Sequence, residues 1–436
     1  MRYLILLMVG ALILGCSSNA PKVNKEVAAT RKAAVASLYS RVKDMPEDPE
    51  ARLALGDWLV HAEDYAAAIA QYDTALLLQP NSLPTKVSRA GAYYQSGQVE
   101  AGLTGFLEVL RVSEAEPYTA SIANSIHAPF SLRQLTSGAS DNYHARYAPS
   151  GQEITFQSNR DGNWELYRMQ LDDLRPLRLT FEAGDDESPV YSPDGREIFF
   201  TSTRASQTDQ RGKLPRDIFS MNATDGTGLR RLVSDAADDW YPAVSPKGKW
   251  FVFASDRADT REGEFGDRQS DLYIYSMEDG QIASFSTEFG DKSAPAVAPD
   301  GDKVIYVNNV NGDFEIYEQD RREQYGRRLI WGGGPKGGPR YAPDGKKIVY
   351  YEKNQENFDL FLYDLKHKQL ARLTSDPAMD LFPAFSPLGD KLVFSSNRDG
   401  SFHLYEMNLS KPPSRLELAE RITQALARVT AAHERQ

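Results

Sequence analysis

From residue 131 to residue 409, apolar and polar residues alternate in short runs, and a tight Pro-x-Gly turn opens each group of runs. The turns begin at Pro149, Pro193, Pro246, Pro299, Pro343 and Pro387, at spacings of 44, 53, 53, 44 and 44 residues. Alternation with a period of two places successive side chains on opposite faces of a strand. The spacing leaves room for about four short strands in each unit. The pattern therefore predicts six small sheets.

Four-stranded units of this length suit radial closure into a propeller, because closure protects sheet edges that would otherwise pair with other chains. The turns, together with segments such as Ser158-Asn159-Arg160-Asp161-Gly162, resemble the propeller repeats of the TolB family throughout 131–409. The resemblance implies a six-bladed propeller. The Leu-Thr that ends a unit at Leu179 and Leu373 also occurs at Leu135, before the first turn. We therefore predict that residues from about 132 to 137 supply the outer strand of the last blade.

Residues 29–116 have the apolar spacing of helices, and a helical repeat begins near residue 49. It resembles the tetratricopeptide repeat at Leu55, Gly56, Leu59, Ala68, Tyr72, Ala75 and Pro80. A second copy from Leu83 has corresponding residues at Ala90, Tyr93, Gly97, Gly102, Phe106 and Val109, and departs from the pattern at Arg89 and Glu114. The resemblance implies a groove that binds peptides or proteins. The alternative is that the segment is only a spacer.

A linker is expected at 117–130, and a final amphipathic helix at 414–436. Ser414 with Glu417 forms a capping-box pattern, followed by an apolar face of Leu418, Ile422, Leu426 and Val429. We expect this helix to lie against the propeller or the helical segment. The predicted fold class is multidomain: an α-helical, tetratricopeptide-like segment, an all-β six-bladed propeller, and a C-terminal helix.

The first residues have the pattern of an export signal. Arg2 precedes an apolar run over residues 3–14 that is too short to span a bilayer as a helix. The sequence Ile13-Leu14-Gly15-Cys16 resembles the bacterial lipobox, which implies a signal peptide at 1–15 and lipid attachment at Cys16. Ser17 implies sorting to the outer membrane, with 16–28 as a flexible tether facing the periplasm. The alternative is a free thiol in an ordinary signal peptide.

Two positions of the propeller repeat vary together. Seven residues before each turn proline stand Asn142, Asp186, Asp239, Lys292, Lys336 and Asp380, and eleven residues after it stand Arg160, Arg204, Arg257, Val310, Asn354 and Arg398. Each aspartate is accompanied by an arginine, and each unit with lysine lacks the arginine. We interpret Asp186–Arg204, Asp239–Arg257 and Asp380–Arg398 as structural ion pairs of the blades. The alternative is an anion or metal site.

Two of the units are longer than the others, with the extra residues in predicted hairpins at 202–217 and 255–271. Because they occupy the same turn of adjacent blades, we expect them to project side by side from one face, as recognition loops or as tolerated insertions. The glycine-rich run at 332–339 lacks the GK[ST] ending of a phosphate loop. It is interpreted as a loop that crosses near the axis.

The composition limits the chemistry. The formal net charge of −11 disfavours nucleic acid and contact with anionic membranes other than through a lipid anchor. One cysteine and six histidines give no metal-ligand spacing, and no catalytic motif is present. We expect no catalytic, cofactor or metal residues, and a scaffold or adaptor whose partners are other envelope proteins or peptides. The alternatives are a lyase or lactonase acting at the central funnel, or a glycan-binding module.

Overall fold

The structure, a computed structural model, describes residues 25–205, 214–259, 269–286, 288–354 and 357–433. The chain divides into two compact units, 1–115 and 116–436. Within the described residues, the first unit is helical and the second contains six four-stranded sheets and a C-terminal helix. This architecture confirms the predicted fold class.

The helical unit begins with a long helix and continues as two helical hairpins. Its helices are α1 Lys25–Asp44, α2 Pro49–His61, α3 Tyr65–Leu78, α4 Leu83–Gln95 and α5 Val99–Leu110. Asp48 caps α2 by accepting from the backbone N–H groups of Glu50 and Ala51, and Pro49 occupies the first turn, where a missing N–H costs nothing. Because α1 begins at Lys25, the last four residues of the predicted tether are helical.

Glycines allow the helices of each hairpin to approach closely. A Cβ at Gly56 would overlap the ring of Tyr72, which is fully buried and donates to Asp57 at 2.8 Å. In the second hairpin, a Cβ at Gly102 would meet the Tyr94 backbone at 2.7 Å. Gly56 and Gly102 therefore lie where the sequence pattern expects close packing.

A 3₁₀ helix, Ser113–Tyr118, and α6, Thr119–Ser125, precede the propeller. Each blade is an antiparallel sheet whose strands follow one another outwards. Blades 1 to 3 consist of β2 Asn142–Tyr147, β3 Glu153–Ser158, β4 Glu165–Gln170 and β5 Pro176–Arg178; β6 Asp186–Tyr191, β7 Glu197–Ser202, β8 Asp217–Asn222 and β9 Arg230–Val233; and β10 Asp239–Val244, β11 Trp250–Ser255, β12 Asp271–Ser276 and β13 Ile282–Ser284.

Blades 4 and 5 follow the same order, and blade 6 is completed by the strand that precedes blade 1. They consist of β14 Lys292–Val297, β15 Lys303–Asn308, β16 Glu315–Asp320 and β17 Arg327–Ile330; β18 Lys336–Tyr341, β19 Lys347–Asn354, β20 Asn357–Asp364 and β21 Gln369–Arg372; and β22 Asp380–Phe385, β23 Lys391–Asp399, β24 Ser401–Asn408 and β1 Ser131–Gln134. Strand β1 pairs antiparallel with β24, with Leu132 opposite Met407. This pairing confirms the predicted ring closure.

The apolar core of the propeller lies in the seams between neighbouring blades. In the seam of blades 1 and 6, Phe156 and Tyr167 share one buried cluster with Val393 and Leu404. The alternating side chains of each sheet thus fill both of its seams, which is why the second strands are buried along almost their whole length.

The C-terminal helix α7, Arg415–His433, packs on the propeller. Leu418 and Ile422 are buried, and Arg421 donates to the carbonyl of Phe130 at 2.7 Å. Ser414 caps the helix at the N–H of Glu417, as predicted. The Glu417 carboxylate does not return to the cap: it accepts from the N–H of Leu132 at 2.7 Å, and so ties the helix to the closing strand.

Candidate functional site

The innermost strand of every blade has the same irregular backbone. Its third residue has a φ of 51–55°, and a bulge shifts the pairing between its second and fifth residues. The six third residues are His144, Ser188, Tyr241, Ala294, Gly338 and Phe382. Their positive φ is unusual for residues with a side chain. The conformation is the same whether the residue is glycine, alanine, histidine or tyrosine, so it is a feature of the blade and not of one side chain. It places all six residues at the central channel.

Proline follows this position in five of the six inner strands, as at Pro189 and Pro383. An inner strand pairs with the second strand of its blade on one side only, so a missing N–H on the free side breaks no pairing. Proline also keeps this inner edge from accepting another strand.

Aromatic rings from different blades meet across the channel. The imidazole of His144 in blade 1 lies 3.9 Å from the ring of Phe382 in blade 6 and 5.4 Å from that of Tyr241 in blade 3, measured between ring centroids. Tyr351 of blade 5 lies 5.4 Å from Phe382. A cavity of about 160 Å³ remains between them, and His144, Tyr241, Tyr351 and Phe382 are among its lining residues.

Glycines in blade 5 make room for one of these rings. A Cβ at Gly337 or Gly338 would overlap the Tyr351 ring, so the inner strand of this blade can only be glycine there. The prediction of a loop for the whole run 332–339 is therefore wrong: from Lys336 onwards it is the inner strand β18. The sequence lacks the alternating side chains of a strand at this point because the ring of Tyr351 occupies their space.

We call one end of the propeller the hairpin face. It is the face where the inner strands begin and where the second and third strands of each blade are joined, as at the pair Ser202 and Asp217. Around its central opening, equivalent positions at the start of the third strand of each blade, either just before it or within its first two residues, hold Trp164, Arg216, Ser270, Phe314, Phe358 and Phe402. Tyr143 lies 5.5 Å from Trp164 and 4.7 Å from Phe402 between ring centroids. These rings are half-buried.

Aspartates hold four of these residues in place from the neighbouring blade. Asp185 accepts from the backbone N–H of Trp164 at 3.0 Å, and Asp141 accepts from that of Phe402 at 2.9 Å. Asp238 and Asp291 make the same contact with Arg216 and Ser270. A carboxylate that accepts a backbone N–H makes a charge-assisted hydrogen bond. These aspartates are thus positioning residues for the rim of the channel, and sequence reasoning missed them.

Two arginines inside the channel were also missed. Within the described residues, no carboxylate lies within ion-pairing distance of Arg146 or Arg340. Arg146 donates to the carbonyl of Ala145 at 2.9 Å, and Arg340 to that of Pro339 at 2.7 Å. Burial lowers the pKa of Arg340 to about 10, and burial and the Arg340 charge lower that of Arg146. A guanidinium with a pKa near 10 is still protonated at neutral pH, so Arg340 places positive charge in the channel of a protein whose net charge is −11.

Other titratable groups of the channel respond to this environment. Burial, and secondarily the charges of the two arginines, hold the pKa of His144 well below its ordinary value, so its imidazole is neutral. Its Nδ1 is buried and makes no hydrogen bond. Burial raises the pKa of the Glu187 carboxyl, and the nearby Arg216 opposes that effect. Arg216 also pairs with Asp238.

Three aromatic side chains project from loops of the hairpin face. Phe181 is 70% exposed, Phe289 86% and Trp331 59%. Each follows the fourth strand of its blade, so all three lie on the face that holds the channel opening. Arg178 lies over the ring of Phe181 at 4.8 Å, and its guanidinium is already paired with Glu165.

The residues with correlated variation form ion pairs within single blades. Arg204 donates to Asp186, Arg257 to Asp239 at 2.8 Å, and Arg398 to Asp380 at 2.9 Å. The three aspartates are buried, and each joins the start of the first strand to the end of the second. In blade 1, Nη2 of Arg160 donates to the side-chain oxygen of Asn142 at 2.8 Å. These contacts hold the hairpin of each blade together and need no ligand.

In the two blades with lysine, the first strand supplies the cation of the pair and a later strand supplies the carboxylate. The ammonium of Lys292 is buried and donates to Asp271 at 2.6 Å and to the carbonyl of Gly290. That of Lys336 pairs with Glu352 at 3.2 Å and donates to the carbonyl of Gly334. Because lysine replaces the aspartate of the first strand in these blades, an arginine after the second strand would have no carboxylate to pair with, and Val310 and Asn354 stand there instead.

Several predicted features lie outside the described residues. These are Cys16, the signal peptide and most of the tether, and the tips of the two long hairpins, 206–213 and 260–268. In the part of the chain that is described, no group of three or more His, Cys, Asp and Glu side chains is placed to hold a metal ion. No described helix is long and apolar enough to cross a membrane.

The sequence matches the family model of the TolB beta propeller domain at residues 126–261 and 332–429, more than half of the chain. The protein therefore belongs to the TolB beta propeller domain family. It is 31% identical over 178 residues to the uncharacterized protein Atu1656 of Agrobacterium fabrum. The aligned segment covers 40% of this chain and 57% of the relative. The chain thus spans a little over half of that relative's length.

Solved structures with similar architecture come from proteins of several kinds. TolB from Acinetobacter baumannii is 20% identical with a TM-score of 0.45, over 62% of this chain and 64% of that one. Oligogalacturonate lyase from Vibrio parahaemolyticus is 13% identical with a TM-score of 0.46, over 64% and 93%. A gluconolactonase from Xanthomonas campestris is 12% identical with a TM-score of 0.49, over 66% and 92%.

Proposed function

We propose that this protein is a scaffold of the bacterial cell envelope that binds other proteins through the hairpin face of its propeller. The observation that carries the proposal is the composition of that face. Phe181, Phe289 and Trp331 project into solvent around an opening lined by further aromatic rings. Aromatic residues and arginine are enriched in protein interfaces and among the residues that dominate their binding energy.

The size of these side chains indicates how much a partner would gain. An aromatic side chain buries roughly 200 Å² on going from exposed to covered, and apolar burial contributes about 25 cal/mol per Å². Rings that are 59–86% exposed would each contribute on the order of 3 kcal/mol if a partner covered them. Such a contribution offsets much of the entropic cost of association.

The binding is proposed to be non-catalytic. A lyase or lactonase acting at the funnel would need several carboxylates or histidines converging on the axis, whereas the rings of His144, Tyr241 and Phe382 meet there. The test is an assay of the purified protein on polygalacturonate and on a sugar lactone. Turnover that is lost when His144 or Tyr241 is replaced would establish the enzymatic alternative.

The anchor and the helical unit complete the proposal. We infer that Cys16 is lipidated and holds the protein at the outer membrane, facing the periplasm, and that α2 to α5 are tetratricopeptide-like hairpins with a second binding groove. The close approach of Gly56 to Tyr72 supports the second inference. Mass spectrometry of the mature N-terminus tests the first: a diacylated Cys16 peptide is expected, and an unmodified thiol would contradict it.

The interface is tested by affinity capture from detergent-solubilised membranes. The variant Phe181→Ser/Phe289→Ser/Trp331→Ser is expected to lose the proteins that the wild type retains. The control is Leu388→Ser/Tyr325→Ser, because these residues are 88% and 63% exposed but lie at turns of the opposite face. Retention of every protein by the triple variant, or capture of polysaccharide in place of protein, would contradict the proposal.

A further inference from the structure

The fold itself does not require the two channel arginines. They occupy the fifth position of the inner strand, where the other four blades carry Val190, Ala243, Ala296 and Ala384. The pairing at this position is the same in each blade: Arg340 lies opposite Val349 just as Ala384 lies opposite Val393. A small apolar side chain therefore satisfies this site in the architecture, and the arginines need another explanation.

Both guanidinium groups retain most of their donors. A guanidinium presents five N–H groups. Within the described residues, Arg146 and Arg340 each donate through Nη1 only, and to backbone carbonyls. Their Nε and Nη2 atoms, which form the fork that receives a carboxylate in two parallel bonds, therefore have no partner in the described part of the chain. By contrast, Arg204 donates through both atoms to Asp186, and Arg398 donates through Nη2 to Asp380 and through Nε to Ser396.

The cavity beside Arg340 has the size and lining of a small-group site. Its volume of about 160 Å³ corresponds to about five water molecules, which is enough for a carboxylate on a short stem. Its lining includes His144, whose buried Nδ1 makes no hydrogen bond, the rings of Tyr351 and Phe382, and Lys336, which is paired with Glu352. The Arg340 charge thus lies beside a cavity whose lining is partly aromatic.

We propose that the channel is a carboxylate-binding site, in which Arg146 and Arg340 hold an acidic group at the end or on a side chain of an extended peptide segment. The proposal rests on the proposed function and specifies the chemistry of its partner. The rings around the opening, Tyr143, Trp164 and Phe402, would contact the neighbouring apolar residue of that peptide. A guanidinium suits a carboxylate because it is weakly hydrated and its planar fork matches the two carboxylate oxygens.

The test uses the full chain and three probe peptides in calorimetric titrations. Acetyl-Trp-Glu-amide carries a side-chain carboxylate, acetyl-Trp-Gly with a free C-terminus carries a terminal one, and acetyl-Trp-Gln-amide is the neutral control. We expect at least one acidic peptide to bind at least about tenfold more tightly than the neutral one, since hydrogen bonds to charged groups differ from neutral ones by this order. Comparison of the two acidic peptides identifies the source of the carboxylate.

Variants show whether the channel arginines are responsible. Arg146→Gln and Arg340→Gln are each expected to weaken the acidic peptide about tenfold and to leave the neutral peptide unchanged. The matched control is Arg231→Gln, since Arg231 belongs to the fourth strand of blade 2 and is paired with Asp217. Equal affinity of all three peptides for the wild type, or an equal loss in the control, would overturn the proposal.

Thermal stability provides a readout that a structural role would not give. If the arginines serve a ligand, their burial without a counter-charge destabilises the free protein, so Arg340→Gln should raise the melting temperature while it removes binding. If Arg340 serves the fold through Pro295 and Pro339, the same variant should lower the melting temperature and retain the peptide, and the proposal fails. Peptides that fail to bind while the hairpin face still captures proteins would refute this inference and leave the proposed function standing.

Discussion

The buried ion pair of blade 6 allows a quantitative prediction. Arg398 is 4% exposed and Asp380 fully buried, with Nη2 of Arg398 at 2.9 and 3.2 Å from the two carboxylate oxygens. The guanidinium also donates to Ser396 at 2.9 Å and lies 4.7 Å from the centroid of the Tyr405 ring. The variant Arg398→Met keeps most of the side-chain volume and removes the charge. It therefore leaves the Asp380 carboxylate buried without its partner.

Removing one partner of a buried pair costs about 3–5 kcal/mol, because an uncompensated charge stays in the interior. For a unit of this size, each kcal/mol lowers the melting temperature by about 2 °C, so the propeller transition should fall by about 6–10 °C. The double variant Asp380→Asn/Arg398→Met removes both charges and should recover most of this loss. An exposed pair should behave differently: Arg196→Met, which breaks the contact of Arg196 with Asp194, should cost less than about 0.5 kcal/mol.

The assay is differential scanning calorimetry of the four proteins and the wild type at one pH and ionic strength, with Asp380→Asn completing the double-mutant cycle. Arg398→Met should melt well below the wild type and well below the double variant. A single variant that melts within about 1 °C of the wild type, or a double variant as unstable as the single one, would refute the ion-pair interpretation.

Three further predictions concern other parts of the chain. Gly56→Ala should lower the free energy of unfolding of the helical unit by about 1–3 kcal/mol, because the new Cβ overlaps the ring of Tyr72. Gly91→Ala should raise it, because the Cβ there makes only an ordinary contact and alanine favours the helix. Urea unfolding of each variant measures both changes. The pKa of His144 is lower in the folded protein than in the unfolded chain, so below about pH 6.5 the unfolded chain takes up a proton that the folded protein does not, and the wild type loses stability. The melting temperature of His144→Phe, minus that of the wild type, should therefore increase as the pH is lowered from 7.5 to 5. A difference that does not change with pH would contradict this. Arg133→Pro in the closing strand should lower hydrogen-exchange protection in β24, while Arg133→Ala should not.

The blades and their closure could be predicted because the repeat encodes them locally. A turn, a period-two run and the Leu-Thr of Leu135 recur at regular spacing, and each follows from strand and turn chemistry. The ion pairs could also be predicted from the sequence, because the aspartate and the arginine vary together among the six units, as residues in contact do. Gly337 and Gly338 were misread because the reason for them, the ring of Tyr351, lies on another strand.

The candidate site could not be predicted by searching for motifs, because it has none. Its residues come from several blades, and equivalent positions of neighbouring blades are 44 or 53 residues apart in the chain, so only the ring brings them together. Superposition of the six inner strands would have found Arg146 and Arg340, since arginine stands out against valine and alanine at one position. Their lack of a carboxylate within ion-pairing distance, among the described residues, is a property of the tertiary structure and could not be read from the sequence.

The claim that the hairpin face binds protein is tested most directly by site-specific photo-cross-linking in intact cells. A benzophenone side chain at Phe289, which is 86% exposed on that face, is compared with one at Leu388, which is 88% exposed at a turn of the opposite face. We predict discrete cross-linked protein bands from position 289, reduced in the Phe181→Ser/Trp331→Ser background, and none from position 388. Bands from position 388 alone, or identical bands from both positions, would contradict the proposed interface.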